Sequence, residues 1–280
     1  SIAERVSADV FLSSWISSCG SPQPQRPELA LVHDCLPERF QAPEVLRQVR
    51  RRWLTGAQCL LGVSAATASD LEILLSKPVG SVPWCHSAPA LVFAETVEAL
   101  GAPALWARLK TKAGLRDSFV LLPATSRIGT YKNPELVAEA LGAEGLESVQ
   151  LVLTGVGAQQ RLHELETYAP HLVGRGLAAG FTDLELALAY RHALAVVIPS
   201  RIEGFGLPAL EALAAGGVVL VADSRGLQEA GAGACLRFAR SEPKQLAALL
   251  QMLLDSPGSA WLCPALERRR QERLAGLNPD

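Results

Sequence analysis

Short apolar runs alternate with amphipathic stretches through the second half of the chain. Runs at 119–122, 149–153, 194–198 and 218–222 are continuously apolar and predict buried strands. The stretches between them have helical periodicity, and parallel strands require crossover connections of this kind. The alternation therefore predicts an α/β domain with a doubly wound parallel sheet over residues 118–260.

The clearest helix start in this region lies at Thr182. Its hydroxyl can accept a hydrogen bond from a backbone N–H group of the first turn, while Glu185 can bond back to the backbone of Thr182. This spacing predicts a capping box, with the helix ending near Ala193.

The first ninety residues show the same alternation in a shorter form. Strands are predicted at 9–13, 29–33 and 58–63, and helices at 43–55 and 66–75. A complete Rossmann-like domain usually carries about six strands. Because the chain begins with Ser1 and its single methionine is Met252, we expect that the opening strands of this domain are missing. The predicted organisation is a partial Rossmann-like domain at 1–95, a linker at 96–117, the domain at 118–260 and a helical tail at 261–280.

Composition narrows the functional classes. The chain has 280 residues, 49% of them hydrophobic and 19% charged, which fits a globular protein. A net charge of −2 gives no general attraction for nucleic acid. The six cysteines form no C-x-x-C pair, so the sequence indicates neither a zinc site nor a disulfide scaffold. This cysteine usage favours a protein of the reducing cytoplasm. No apolar run reaches the roughly 20 residues of a membrane-spanning helix.

The densest chemical signal follows the predicted strand at 194–198. Gly204 and Gly206 allow a sharp turn and a close approach of a ligand, and Pro208 suits the first turn of a helix. The N-terminus of such a helix presents unpaired N–H groups and the positive end of the helix dipole, which together favour phosphate.

Two carboxylates, Glu203 and Glu211, flank this expected anion site. Carboxylates repel phosphate, so their expected partners are the hydroxyls of a sugar or ribose, or a charge that becomes positive during a reaction. The alternative is a tight strand-to-helix turn with solvated glutamates.

Residues 203–211 read E-G-F-G-L-P-A-L-E, which resembles the E-x7-E signature of glycosyltransferase family 4. Other segments match motifs of the same family. Residues 126–133 resemble its G-R-x-x-x-x-K-N loop, 151–157 its strand with a glycine turn, and 181–184 its turn beside the nucleobase. Residues 32–37 resemble its H-D-x-x-P segment, and 63–71 its V-S-x-x-S/T-x-x-D-L stretch. The resemblance spans about residues 8–255.

The resemblance implies a two-domain GT-B fold and retaining transfer of a hexose. The donor would be a nucleotide-diphosphate sugar such as GDP-mannose or a UDP-hexose, and the acceptor a glycan or a lipid-linked molecule bound on the side of the N-terminal domain. The family requires no cofactor and no metal, and the chain has no D-x-D motif for a divalent ion.

Site residues follow from the same motifs. Arg127 and Lys132 would neutralise the departing diphosphate, each charge-assisted hydrogen bond contributing about 1.5–3 kcal/mol. Glu203 and His33 would act at the anomeric centre. The remaining implied contacts are Gly206 and Leu207 to the diphosphate, Gly204, Phe205 and Asp34 to the donor sugar, and Glu211, Gly155, Phe181 and Thr182 to the ribose and base. In the alternative interpretation, Arg127 and Lys132 belong to a solvated loop and His33 is structural.

The chain departs from the family pattern in two places. Ser126 replaces the glycine that usually precedes Arg127, and residues 82–87 read V-P-W-C-H-S where the family commonly has P-N-G-V. Two rival functions are a non-catalytic module that binds nucleotide sugars and another GT-B enzyme, such as a sugar-nucleotide epimerase or a phosphorylase.

A basic cluster lies outside these motifs, on the predicted helix at 43–55. Arg47 and the run 50–52 form either a surface for an anionic membrane or lipid-linked acceptor, at the inner face of the membrane, or a solvated helix face. We favour the solvated face.

Overall fold

The computed structural model describes residues 9–16, 27–40, 42–93, 103–123, 127–255 and 264–277. The chain divides into two compact units. The first comprises Ser1–Ser87 with Glu203–Phe205, and the second comprises Ala88–Ile202 with Gly206–Asp280. Each unit has its own parallel sheet. The finer division into two domains, a linker and a tail stays a prediction.

The first unit contains a three-stranded parallel sheet in the order β1-β2-β3. Its strands are β1 (Phe11–Ser13), β2 (Glu28–Val32) and β3 (Cys59–Gly62). Its helices are α1 (Leu36–Arg39), α2 (Glu44–Gly56) and α3 (Ala65–Leu74). The three predicted strands and two predicted helices are confirmed to within two residues at each end. Sequence analysis missed the short helix α1, which has only four residues.

The interior of the first unit is built around Trp53, whose side chain is buried. Its indole N–H donates to Ser13 Oγ at 2.8 Å and Glu28 Oε1 at 3.2 Å. These bonds tie α2 to strands β1 and β2. A buried indole N–H needs such a partner, because an unpaired donor in the core costs about 1–3 kcal/mol.

Arg50 is buried beneath α1, with only 1% of its surface exposed. Its Nε donates to Glu38 Oε1 at 2.7 Å, and its Nη2 donates to the Asp34 carbonyl oxygen at 2.7 Å. Its guanidinium lies 5.1 Å from the centre of the Trp15 ring. Placing Arg50 in a surface cluster was therefore wrong, because this side chain holds α1 onto α2.

The other three arginines of that cluster lie on the surface. Arg51 and Arg52 are exposed, and Arg47 pairs with Glu44. The structure agrees with a solvated face for these residues.

The second unit contains a six-stranded sheet in the order β6-β5-β4-β7-β8-β9, with every neighbouring pair parallel. Its strands are β4 (Phe119–Leu122), β5 (Gln150–Thr154), β6 (Gly176–Ala179), β7 (Ala195–Ile198), β8 (Val219–Ala222) and β9 (Leu236–Phe238). Strands β4, β5, β7 and β8 are buried along their whole length. The four predicted strands are these four, which confirms the α/β class with a parallel sheet.

The two outer strands, β6 and β9, were not predicted. Strand β6 reads Gly-Leu-Ala-Ala and is only half-buried, and β9 has three residues. An edge strand has one neighbour and covers less of the core, so its sequence need not form an apolar run.

Helices connect the strands of the second unit. They are α4 (Pro103–Ala113), α5 (Pro134–Ala140), α6 (Ala158–Tyr168), α7 (Asp183–His192), α8 (Leu207–Ala214), α9 (Arg225–Gly231), α10 (Pro243–Asp255) and α11 (Pro264–Ala275). The predicted capping box is confirmed at the start of α7. Thr182 Oγ1 accepts from the Glu185 N–H at 3.3 Å, and Glu185 Oε2 accepts from the Thr182 N–H at 3.0 Å.

Helix α11 contributes arginines to the ends of two other helices. Arg270 Nη1 donates to the Leu213 carbonyl oxygen at 3.3 Å, and Arg273 Nε donates to the Ala230 carbonyl oxygen at 2.8 Å. These carbonyls belong to the last turns of α8 and α9, where backbone acceptors lack partners within the helix. Positive charge there also complements the helix dipole.

None of the helices in the described parts of the chain combines the length and the apolar character needed to cross a membrane.

The contrast between Arg50 and its neighbour Arg51 gives a stability test. Replacing Arg50 with Met leaves the Glu38 carboxylate and the Asp34 carbonyl without their partner, so we expect the first unit to lose about 3–5 kcal/mol. The matched variant Arg51→Met changes an exposed side chain and should stay within about 0.5 kcal/mol of wild type. Urea unfolding followed by tryptophan fluorescence measures both. Equal losses in the two variants would contradict the structural role of Arg50.

Candidate active site

The strand order of the second sheet reverses direction at β4. In sequence order its strands are arranged 3-2-1-4-5-6, and sheets of this kind bind ligands beyond the carboxyl ends of the two strands that flank the reversal. Those strands are β4 and β7, which pair through Val120↔Ala195 and Leu121↔Val196. The loop after β4 carries Arg127 and Lys132, and the loop after β7 leads through Glu203 to Gly206. Sheet topology thus brings the origins of the two strongest sequence motifs to one edge.

Asn133 fastens these two loops to each other. Its side chain is 1% exposed, and its backbone has a positive φ of 54°. Asn133 Nδ2 donates to the carbonyl oxygens of Pro199 at 3.3 Å and Arg240 at 3.1 Å. Its Oδ1 accepts from Arg201 Nη2 at 3.0 Å. One buried amide therefore joins the basic loop, the end of β7 and the segment after β9.

Arg201 adds a second connection between the same loops. Its backbone N–H donates to the Tyr131 carbonyl oxygen at 2.8 Å, and its guanidinium lies 3.6 Å from Glu135 Oε1. Arg240 Nη1 in turn donates to the Arg201 carbonyl oxygen at 3.1 Å. We call Asn133, Arg201 and Arg240 the loop clasp. The clasp fixes the backbone on either side of Lys132 and Ser200.

The two basic side chains of the site stand on the clasped loop. Arg127 is exposed, and its carbonyl oxygen accepts from Thr130 Oγ1 at 2.7 Å, which folds the loop into a turn. Lys132 is half-buried, with Nζ 5.4 Å from the centre of the Tyr131 ring. Arg127 and Lys132 thus both lie on the loop after β4, which is one of the two strands that flank the reversal of strand order.

Helix α8 begins directly after the loop that follows β7. Gly206 is its N-cap, with φ of 119°, and no side chain caps the first turn. The positive φ strongly favours glycine here, and a Cβ atom at Gly206 would also lie 2.7 Å from Leu227 Cδ2, so that side chain would have to shift. The first turn has no acidic residue and contains Pro208, so its N–H groups are suited to an anion.

By their contacts, Glu203–Phe205 belong to the first unit. The Gly204 carbonyl oxygen accepts from Ser64 Oγ and from Thr67 Oγ1, the latter at 3.0 Å. A Cβ atom at Gly204 would overlap the His33 carbonyl oxygen. Glycine is required here because two backbone segments touch. Glu203 is half-buried. The residue after it, Gly204, is held by Ser64 and Thr67 and lies against the His33 backbone.

The structure places His33 and Asp34 directly after β2. His33 is exposed, and its backbone contacts Gly204. Asp34 Oδ1 accepts from the Leu36 N–H at 2.9 Å, at the start of α1. The contact of Asp34 with a donor sugar stays a prediction.

Glu211 lies in the second turn of α8 and is half-buried. Its Oε2 accepts from the Tyr190 hydroxyl at 3.4 Å. Burial raises the pKa of the Glu211 carboxyl above its usual range; the bond from Tyr190 opposes this effect, and the nearby Asp183 adds to it. Burial also raises the pKa of Tyr190 well above its ordinary value, so the phenol remains a hydrogen-bond donor.

The other three predicted ribose and base contacts, Gly155, Phe181 and Thr182, follow β5 and β6. Gly155 follows β5 with φ of 107°. Phe181 lines a cavity of about 250 Å³ together with Gly180 and Glu185. The Thr182 hydroxyl is engaged in the capping box. Glu185 also pairs with Lys112 at 2.7 Å, which keeps the pKa of its carboxyl below the usual range.

Several residues that organise the site were not predicted as site residues. Ser64 and Asn133 lie inside motifs that sequence analysis recognised, so their positions carried a signal. Arg201, Arg240 and Tyr190 act on partners 68, 39 and 21 positions away. No local pattern marks such long-range pairs.

Within the described ranges, no group of three or more His, Cys, Asp or Glu side chains is arranged to hold a metal ion.

A family model described as glycosyl transferases group 1 matches residues 108–271. The D-inositol 3-phosphate glycosyltransferase of Frankia alni is 34% identical over 167 residues, which cover 54% of this chain and 40% of that protein. The chain thus spans less than half the length of this curated relative.

Solved structures resemble the whole fold. Sucrose-phosphate synthase from Thermosynechococcus elongatus has a TM-score of 0.73 at 21% identity, covering 99% of this chain and 71% of that one. Anabaena HepE in complex with UDP and glucose has a TM-score of 0.71 at 19% identity, covering 91% of this chain and 70% of that one. These neighbours confirm the α/β fold of the GT-B type. Because the family model covers more than half of the 280 residues, the chain belongs to the glycosyl transferases group 1 family.

Proposed function

We propose that this chain carries the donor site of a retaining, metal-independent glycosyltransferase of family 4. The enzyme moves a hexose from a nucleotide-diphosphate sugar to a glycan or lipid-linked acceptor. The observation that carries the proposal is the loop clasp. Through Asn133 and Arg201 it joins the loop that bears Arg127 and Lys132 to the loop that leads into α8.

The leaving group sets the chemistry of the second unit. When the bond to the anomeric carbon breaks, negative charge collects on the nucleoside diphosphate. Arg127 and Lys132 would stabilise it through charge-assisted hydrogen bonds worth about 1.5–3 kcal/mol each. The start of α8 would add backbone N–H groups and a dipole contribution of about 0.3–2 kcal/mol. These groups supply the positive charge for which other transferases use a divalent ion.

Glu203 would act on the opposite charge. The sugar becomes positive at its anomeric carbon as the diphosphate leaves, and a carboxylate stabilises that charge. The contact of Gly204 with the His33 backbone puts the segments that carry Glu203 and His33 side by side in the first unit. In a retaining reaction, the new bond forms on the face from which the diphosphate departed.

Glu211 would bind the donor ribose. An ionised carboxylate accepts hydrogen bonds from two neighbouring hydroxyls, and the bond from Tyr190 holds the side chain in place. Because HepE was solved with UDP and glucose, UDP-glucose is the first donor to test, followed by GDP-mannose. We place the reaction in the cytoplasm, because the described cysteines Cys35, Cys59, Cys85 and Cys235 are free thiols.

The first test concerns Glu203. Replacing it with Gln removes the negative charge while preserving shape, so we expect kcat to fall by at least about 100-fold with UDP affinity unchanged. UDP release from UDP-glucose reports turnover, and calorimetry reports UDP affinity. The control is Glu272→Gln, an exposed position on α11. Near-wild-type turnover of Glu203→Gln would exclude the catalytic role, and UDP binding without turnover of any donor by the wild type would favour the binding-module alternative.

The second test concerns the loop clasp. Arg201→Ala removes the bond to Asn133 Oδ1 and loosens the basic loop, so we expect the Kd for UDP to rise about 10-fold, or about 1.4 kcal/mol. Arg201→Lys should restore only part of the affinity, because an ammonium group cannot reproduce the planar fork of the guanidinium. The matched control Arg268→Ala changes an exposed arginine of α11. Unchanged UDP affinity in Arg201→Ala would contradict a role of the clasp in donor binding.

The third test uses the raised pKa of Glu211. The folded state holds this proton more tightly than the unfolded state, so the carboxyl stabilises the fold at low pH and loses that contribution as pH rises through its folded pKa. Glu211→Gln should therefore be more stable than wild type at neutral pH, with a smaller dependence on pH just above 4.5. The same variant should bind UDP more weakly at neutral pH.

Thermal unfolding and calorimetry between pH 4 and 8 provide both measurements for Glu211. A variant that is less stable at neutral pH would contradict the sign of the shift, and unchanged UDP affinity would contradict ribose binding.

A further inference from the structure

An exposed tryptophan stands at the end of an aromatic stack that reaches the Glu203 loop. Trp84 is 47% exposed. Its ring centre lies 4.9 Å from that of His86, at an interplanar angle of 41°. The His86 ring stacks on Phe205, with 4.9 Å between centres and an angle of 11°. Phe205 is 4% exposed, so the stack runs from a buried ring to an exposed one.

The backbone beneath Trp84 is fixed. Trp84 forms a parallel bridge with Gly62, the last residue of β3. The Gly62 N–H donates to the Pro83 carbonyl oxygen at 2.9 Å, and the Cys85 N–H donates to the Gly62 carbonyl oxygen at 2.9 Å. The indole is therefore held at the carboxyl end of the first sheet, which is also where His33 follows β2.

This stack coincides with a departure from the family pattern. Where the family commonly has P-N-G-V, the chain has Pro83, Trp84, Cys85 and His86. Two of the three rings of the stack lie in these four positions. The pattern P-N-G-V contains no aromatic ring that could extend the stack beyond Phe205, so the exposed indole departs from that pattern.

We propose that Trp84 is a stacking platform for a sugar ring of the acceptor, an inference that rests on the proposed glycosyl transfer. The face of an indole is electron-rich, and the face of a pyranose carries C–H groups of partial positive charge. A half-exposed indole on a rigid stack binds such a face at little entropic cost, because few torsions remain to be fixed.

The surroundings of the indole favour a saccharide over an apolar partner. His86 and the Glu203 turn lie along the same stack, and both carry polar groups that suit hydroxyls at the rim of a sugar ring. The predicted groups for the donor diphosphate and base, from Arg127 to Glu211, lie on loops and helices of the second unit. The donor sugar already has its predicted contacts in Gly204, Phe205 and Asp34, so the acceptor saccharide is the ligand that still lacks an assigned site.

A direct binding experiment tests the platform without any turnover. The chain has 5 tryptophans, and the Trp84→Phe variant identifies the indole N–H signal of Trp84 in a proton–nitrogen correlation spectrum. Titration with methyl α-glucoside, maltose and methyl α-mannoside should produce a saturable shift of that signal with at least one of them. Trp15 is the internal control, since it is 51% exposed and belongs to the same unit. The absence of a Trp84 shift with all three sugars, or an equal shift of Trp15, would overturn the proposal.

A kinetic experiment separates acceptor binding from donor binding. With UDP-glucose and a saccharide that shifts Trp84, the Trp84→Ala variant should raise the acceptor KM at least about 10-fold, while the KM for UDP-glucose and the Kd for UDP are unchanged. Trp84→Phe should recover most of the loss, because phenylalanine keeps an aromatic face, and Trp15→Phe should match wild type.

The two hypotheses fail in different ways. Transfer that proceeds with an unchanged acceptor KM in Trp84→Ala overturns the platform and leaves the proposed function intact. A Trp84 shift with saccharide in a protein that binds neither UDP nor GDP and consumes neither UDP-glucose nor GDP-mannose supports sugar stacking and overturns the proposed function.

Discussion

The proposed neutralisation of one diphosphate by groups on two different loops requires that the loops keep a fixed spacing. In this chain, that constraint is met by the buried amide of Asn133, which bonds to the Pro199 carbonyl 66 positions away. Flexible loops would lose ordering entropy on each binding event, and a clasp that already holds the backbone removes part of that cost. The reversal of strand order at β4 puts the ends of β4 and β7 at one edge of the sheet, and the clasp joins the loops that follow them.

The strands that were predicted in the second unit are those buried on both faces of the sheet. Strands β4, β5, β7 and β8 must be apolar along their length because helices cover the sheet, and such runs are visible without an alignment. The edge strands β6 and β9 were missed because nothing forces their composition. Arg50 was placed on the surface because a run of basic residues is normally solvated. Only the tertiary contacts with Glu38 and Asp34 show its burial.

In the candidate site, too, local sequence patterns were predictable and contacts between distant residues were not. The motifs around Arg127 and Glu203 are contiguous, so the residue types and their spacing were sufficient to single out two loops; ligand binding by these loops stays a prediction. The hydrogen bonds that join these loops were not predictable, because Arg201 and Arg240 act across long sequence separations. The requirement for glycine at Gly204 shows the same limit. Its reason is the backbone of His33, a contact that no sequence pattern encodes.

The tripeptide Glu203–Phe205 has a further consequence for how this chain can be recombined with others. It is covalently part of the connection between β7 and α8, yet its carbonyl and ring partners are Ser64, Thr67 and His86. A chimera that takes its first 87 residues from another member would therefore have to bring compatible side chains at those three positions. Exchange of the N-terminal module of this chain therefore depends on a segment that lies more than 100 positions away in the sequence.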